Sequence, residues 1–466
     1  MLPAVKTMQA PRAQLRAGAM RCSSMIRRLA ALAWLLAVAL PAVAVADPPW
    51  SPAQNVSLAH LFVAPVAVTA SGDGTALAWW SWQDGTGQSA NGGSSLASRP
   101  AGAGGFGPER PAPANVIDVA AYAQTRAIAL TDRAIGSAAV GRTRLAAVFG
   151  STSGAFGAPH TIADGPRLDR PVLALNARGD AAIAYFQDRG VDNDRVLVSV
   201  RRAGGSFGTP FQVGHGRIRS VAIAVGARGD LLVAWDNAGV IRARYRAPSS
   251  TGFQPIETIS SDPTDFAQIH AAIADGGRCY LAWSAQLLTE GGSRGPVFNE
   301  VAVRPSGHRF RAAQQLERDD ESRSQAPIAI ATEGRDATVA WTGFDGVNAR
   351  VRVASTDPAA RFGAPQDVSP AGRDGVVSDL AAAGGTRLVI WDNGSFDANQ
   401  VFAALAPPGA PFGAAETVSA AEEARAGRAI LGPLPTVVWT NRPAGSHPPG
   451  GIAAVQTFAQ AATRSG

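Results

Sequence analysis

From Val56 onward, short runs rich in Val, Ile and Ala alternate with clusters of Gly, Pro, Asn and Asp. Such runs, bounded by turn residues, read as strands, and their spacing suits hairpins. No helical period shows in this part of the chain. One stretch carries the pattern in full. Ala326–Ala331 is a first run, Thr332–Asp336 a turn, Ala337–Trp341 a second run and Ala349–Ala354 a third. Phe362-Gly363-Ala364-Pro365-Gln366-Asp367-Val368-Ser369 closes the unit.

The unit repeats. Its second run is anchored by Trp80, Tyr185, Trp235, Trp283, Trp341, Trp391 and Trp439, and Leu130 holds the place in a weaker copy, so that successive anchors lie 48 to 58 residues apart. A Gly six residues earlier precedes most anchors: Gly74, Gly179, Gly229, Gly277 and Gly385. Four strands in about 50 residues is the size of one propeller blade. Ala-rich first runs suit strands crowded near an axis, and the large anchors suit the wider space between sheets.

The two ends of the repeat region complete one another. Trp50-Ser51-Pro52-Ala53-Gln54-Asn55-Val56-Ser57 matches the closing segment at Phe362–Ser369, whereas the last unit stops after a third run at Ile452–Phe458. Pairing the two hides an edge that would otherwise template aggregation. The expectation is an all-β chain folded as a single β-propeller of eight four-stranded blades, the N-terminal strand completing the last blade. Seven blades are the alternative if the unit around Leu130 is irregular.

The Gly-x5-Trp strand and the Phe-Gly-Ala-Pro-x-x-Val-Ser strand make residues 50–458 resemble the secreted bacterial repeat proteins grouped with the sialidase-like, or BNR-like, β-propellers. The resemblance implies the propeller and an extracytoplasmic setting; it implies no activity. The nearest stretch to an Asp-box, Ser71-Gly72-Asp73-Gly74-Thr75, has the wrong spacing. Of the four tyrosines, Tyr185 is an anchor, Tyr280 lies in the equivalent strand and Tyr245 in a third strand, and no reading leaves one of these as a nucleophile. The calcium loops of FG-GAP propellers are also missing.

Ahead of the repeats, Arg27 and Arg28 precede an apolar run from Leu29 to Ala46 that ends in Ala44-Val45-Ala46. A basic flank, a short apolar core and a small-x-small site read as a signal peptide over residues 1–46, with the propeller over 47–466. An uncleaved anchor is the alternative, disfavoured by length and by Pro41. The leader changes the charge balance. The whole chain carries a formal net charge of +6. Six of its bases (Lys6, Arg12, Arg16, Arg21, Arg27 and Arg28) lie in the leader, which holds no acid. The remainder is neutral, so nucleic acid is not an expected partner. Cys22 departs with the leader, and Cys279 remains as a single thiol, buried or reactive.

Antiparallel order puts the second-to-third hairpins and the interblade connections on one face. That face is the richer in charge, and Asp84, Asp188, Arg217, Asp236, Asp265, Asp320, Asp345, Arg373 and Asp392 are its candidate binding residues, around one mouth of the channel. Asp and Asn after a strand are also ordinary turn residues. The opposite turns, including Arg178-Gly179-Asp180 and Arg228-Gly229-Asp230, read as short copies of one repeat turn. No catalytic set, metal site or cofactor is expected. The functional expectation is a secreted, monomeric, non-enzymatic propeller that binds a glycan, a wall polymer or a surface protein. A glycan-active hydrolase or lyase and a structural surface scaffold are the alternatives.

Overall fold

Each second run becomes a central strand of an antiparallel sheet: Ala76–Asp84, Arg126–Ile135, Ala181–Gln187, Leu231–Asn237, Arg278–Leu288, Asp336–Phe344, Thr386–Asp392 and Thr436–Asn441. These give eight sheets, numbered here as blades 1 to 8 in that order. The computed structural model describes residues 50–63, 66–84, 91–135, 142–190, 192–260, 264–288, 294–320, 327–394, 399–420, 423–442 and 458–464. The expected leader lies outside the described residues. The unit around Leu130 is a regular blade, with strands Val116–Tyr122, Arg126–Ile135, Arg142–Ser151 and His160–Pro166, which removes the seven-blade alternative. Blade 1 departs from the pattern, because its inner strand is split into Phe62–Val63 and Ala67–Ala70, both paired with Ala76–Asp84.

The first strands form a ring about the axis. Each lies beside the first strands of the adjoining blades, and that of blade 8, Arg425–Ile430, returns to that of blade 1. The anchors fill the wedges between sheets. Trp80 packs with Ile430, Val438 and Ala461 of blade 8, Trp341 with Tyr280 and Val301 of blade 5, and Trp439 with Leu388 and Val401 of blade 7. All eight anchors are at most 1% exposed. At the usual return per unit of apolar area, each aromatic anchor stabilises by about 4 kcal/mol, taken as an upper value.

The closing segment has a second task. Its Gln bonds the next blade twice. Gln366 Nε2 donates to the Phe412 carbonyl at 2.8 Å, and Phe412 N–H donates to Gln366 Oε1 at 3.2 Å. Gln314 holds Phe362 in the same way, and Gln54 holds Phe106. The Gln of one closing segment thus fixes the Phe of the next.

The ring closes as expected but at a different place in the chain. Gln54–Asn55 pairs antiparallel with Phe458–Thr463, Gln54 opposite Ala461 and Asn55 opposite Gln460. The third strand of blade 8 is therefore Phe458–Thr463, displaced from the expected run at Ile452–Phe458, of which residues 452–457 lie outside the described residues. Both runs are small and apolar, so hydrophobic pattern alone does not choose between them. Polar partners favour the second: Ser51 N–H donates to the Thr463 carbonyl at 2.7 Å, and Gln460 Nε2 to Asn55 Oδ1 at 2.7 Å.

Asp265, expected in a loop of the charged face, belongs to a strand instead, Thr264–Ala274. Asp169 and Arg170 likewise lie within Leu168–Leu175, and Glu317 within Gln314–Asp319. First strands commonly begin with a bulge, as between Thr264 and Phe266 and between Val116 and Asp118. A bulge re-aims side chains, so a charged residue can be accommodated there without ending the strand.

Candidate functional site

Hairpins and interblade connections meet on one face, as the strand order requires. Arg167, from the connection into blade 3, donates from Nη1 to Asp188 Oδ2 of that blade's hairpin at 3.0 Å. Backbone hydrogen bonds tie the same two segments together, Asp188 N–H to the Arg167 carbonyl at 3.0 Å. Blade 4 repeats this contact: Ala238 N–H donates to the Arg217 carbonyl at 2.8 Å, and Arg217 N–H to Asn237 Oδ1 at 3.0 Å.

On this face the acids singled out from sequence mostly hold the turns they sit in. Asp345 Oδ1 accepts from Val347 N–H at 2.9 Å and Asn348 N–H at 2.8 Å, and Arg350 reaches Oδ2 at 3.0 Å. These bonds, that to Asn348 foremost, hold its carboxyl down to about 2. Asp188 is lowered mainly by Gly190 N–H and then by Arg167. Asp236 is wholly buried, and its Oδ1 accepts from Gly239 N–H at 2.6 Å. Asp392 accepts from Gly394 N–H at 2.9 Å and Asn399 Nδ2 at 3.2 Å, and burial raises its pKa. Asp320 is the more open, taking Arg318 Nε at 2.6 Å. Arg373 is exposed in the connection between blades 6 and 7. The partners named for these residues come from their own hairpins and connections rather than from one another.

Asp84 is set differently. Its Oδ2 lies 3.0 Å from His60 Nδ1, and its Oδ1 accepts from Leu61 N–H at 2.9 Å. The hydrogen bond with His60 lowers its pKa. The His60 ring stacks on Trp82, centroids 4.5 Å apart, and its Nε2 is 3.5 Å from Glu109 Oε1. This places an imidazole between two carboxylates and over an indole.

A second group was missed from sequence. The first strands carry Asp118, His270, Asp379 and Arg428, from blades 2, 5, 7 and 8 respectively, into the bore. Asp118, His270 and Asp379 keep some contact with water, yet at longer range protein surrounds Asp118 and His270, as in a narrow channel. Burial pushes Asp118 up to about 6, with Arg428 opposing and Asp379 reinforcing. Burial pushes His270 down to about 4; the charge on Arg428 adds to this and Asp379 opposes it. Asp379 is fixed by Leu380 N–H at 2.9 Å and, across the blade boundary, by Ala429 N–H at 3.0 Å. The first strands are otherwise rich in alanine, for example Ala120, Ala271, Ala331 and Ala381. A partial signal existed: Asp118 and Asp379 are the single charged residues of Val116–Tyr122 and Val376–Ala383, whereas the strands of His270 and Arg428 also carry Asp265 and Arg425.

Several other candidate groups are buried or already engaged. Cys279 is buried, and burial pushes its thiol up to about 12, so of the two readings the buried one holds. Burial likewise raises Tyr185 to about 12 and raises Tyr245. The Tyr280 hydroxyl donates to the Arg335 carbonyl at 2.9 Å. Glu317 accepts from Trp341 Nε1 at 2.6 Å, Phe344 N–H at 3.0 Å and Arg352 Nη1 at 2.6 Å, so its carboxylate is already engaged. Among the described residues no group of three or more His, Cys, Asp or Glu side chains could hold a metal ion.

No protein-family model matches the chain, and no curated protein does. Solved structures match at the level of fold. A polysaccharide lyase described as an ulvan lyase is similar at 9% identity over 74% of this chain and 91% of its own, with a TM-score of 0.44. A puromycin hydrolase is similar at 16% identity over 87% of this chain and 63% of its own, with a TM-score of 0.43, so the chain spans under two thirds of that protein. A neuraminidase-like protein from a flat-faced bat isolate is similar at 8% identity over 64% of this chain and 88% of its own, with a TM-score of 0.36. At these identities the likeness concerns the propeller alone.

Proposed function

We propose that the chain is an extracytoplasmic, non-enzymatic propeller of the BNR-like kind whose loop face binds a glycan, a wall polymer or a protein partner. The observation that carries this reading is the commitment of the loop-face acids to their own turns. Asp188, Asp345 and Asp392 use their oxygens on neighbouring N–H groups and side chains. Such residues build a rigid, patterned surface, which suits recognition. They do not build a converging pair of carboxylates for bond cleavage. Export is supported by the basic flank, apolar run and small-x-small site of residues 27–46.

One observation favours a second reading, a glycan-active hydrolase or lyase. Asp118, raised to about 6 by burial and feeling the charges of Asp379 and Arg428, is a group able to exchange protons near neutral pH. A glycan array and a panel of hydrolase and lyase substrates, both run with the secreted chain, separate the two. Binding without turnover is expected. Turnover that disappears in Asp118→Asn or Asp379→Asn would transfer the assignment to an enzyme.

A further inference from the structure

The face opposite the loops carries the short first-to-second and third-to-fourth turns. Between blades 3 and 4 it opens a groove of about 400 Å³, whose wall includes Arg178, Arg201, Arg202, Arg228 and Arg246 against one acid, Asp180. Arg178 and Arg228 come from the two Arg-Gly-Asp copies of the repeat turn. Arg201 and Arg246 end the third strands Asp194–Arg201 and Val240–Arg246. Adjacent blades thus bring together arginines that lie up to 68 residues apart in the chain.

The single acid does not neutralise this group. Asp180 is already engaged by Arg178 Nη2 at 2.7 Å, Asn176 Nδ2 at 3.0 Å and Ala203 N–H at 3.1 Å. Arg201 is buried, donates from Nε to the Gly205 carbonyl at 2.8 Å and lies over the rings of Tyr122 and Phe149. Three cations remain. Arg202 and Arg228 are exposed. Arg246 lies over the Phe253 ring at 5.8 Å, and its Nε is buried with no acceptor among the described residues. Burial lowers the pKa of Arg246, and the charge of Arg202 lowers it further, with Asp180 opposing. The groove between blades 6 and 7 differs, since there Glu333 and Asp336 accompany Arg387.

We propose that the groove between blades 3 and 4 is an oxyanion site, where Arg202, Arg228 and Arg246 take the sulfate, phosphate or carboxylate group of a small ligand. Guanidinium forks match these groups bidentately, which a point charge does not. The volume lies within the range of small-molecule pockets. An anion would relieve the repulsion between Arg202 and Arg246. The groove is on the face away from the proposed polymer surface, so either assignment can fail without the other.

Calorimetric titration of the whole chain with inorganic sulfate, inorganic phosphate and galacturonate tests the site, and the tightest of the three identifies the source of the oxyanion. At least one should bind, more weakly as salt rises. Arg202→Gln and Arg246→Gln should each weaken it about tenfold or more. Arg246→Lys should fall between, because it keeps the charge but loses the fork. Arg309→Gln, an exposed control in another blade, should bind as the parent does. If Arg246→Gln does not fold, the exposed Arg202 carries the test. Absence of binding by all three anions, or equal binding in the parent and Arg202→Gln, would overturn the proposal.

Discussion

Removing either titrating side chain from the bore should unmask the pH dependence of the other. Asp118 has a folded pKa near 6 against an ordinary 3.8. Its folded pKa is raised, so the stability it permits is complete below about 3.8 and is lost as pH rises through 6. His270 has a folded pKa near 4 against an ordinary 6.5. Its folded pKa is depressed, so the stability linked to it is complete above 6.5 and is lost as pH falls through 4. Either displacement converts to about 3 kcal/mol. Water in the bore screens the groups, leaving about 1–3 kcal/mol each. Between pH 4 and 6 the two slopes oppose, so the parent protein should show a shallow contribution from this pair. In Asp118→Asn the His270 slope stands alone, and stability should climb between pH 4 and 6.5. In His270→Gln it should decline between pH 3.8 and 6. The double variant should lose both slopes. Arg428 and Asp379 act on both groups, so they are left in place and ionic strength is held constant. Urea midpoints across this pH range give the readout. Parallel curves for the parent and the two single variants would refute the reasoning.

Two further substitutions test the contacts between blades. Gln366→Ala removes both hydrogen bonds to the Phe412 backbone and should cost about 1–3 kcal/mol in urea denaturation; a loss below about 0.5 kcal/mol would mean the Gln is dispensable. Gly179 and Gly276 both have positive φ, at 92° and 81°. At Gly179 a Cβ would meet another blade, at the buried Tyr122 ring, whereas at Gly276 it would meet nothing within 4 Å. Gly276→Ala should therefore cost about 1 kcal/mol from backbone strain alone, and Gly179→Ala clearly more; equal costs would refute the close approach.

The parts of the fold that recur were readable from the chain. Trp341 and its equivalents could be aligned by eye, and burial of every one follows from that alignment. The shared loop face was also legible, because strand alternation alone brings Arg167 beside Asp188. What could not be read depends on which blades face one another. Asp118, His270, Asp379 and Arg428 span more than 300 residues of sequence, and Arg428 and Asp379 act on the other two only because a ring of first strands closes. The two Arg-Gly-Asp turns were correctly read as turns, but their convergence with Arg202 and Arg246 requires neighbouring sheets. The displaced strand at Phe458–Thr463 shows a different limit: in an Ala-rich stretch, pattern gives no unique register, and polar partners such as Ser51 and Asn55 decide it.

Every statement about shared faces, the bore and its mouth depends on the two ends of the propeller being zipped together. Asn55 and Gln460 are directly opposed, and paired residues of antiparallel strands have Cα separations of about 4.5–5.5 Å, compatible with a disulfide. Asn55→Cys with Gln460→Cys, in a chain starting at Asp47 that retains only buried Cys279 as a native thiol, is the most direct measurement. A closed ring predicts rapid intramolecular oxidation, seen as a mass loss of about two hydrogens and a faster band on a non-reducing gel, with a raised melting temperature. Persistent free thiols under oxidising conditions, or only intermolecular dimers, would contradict it.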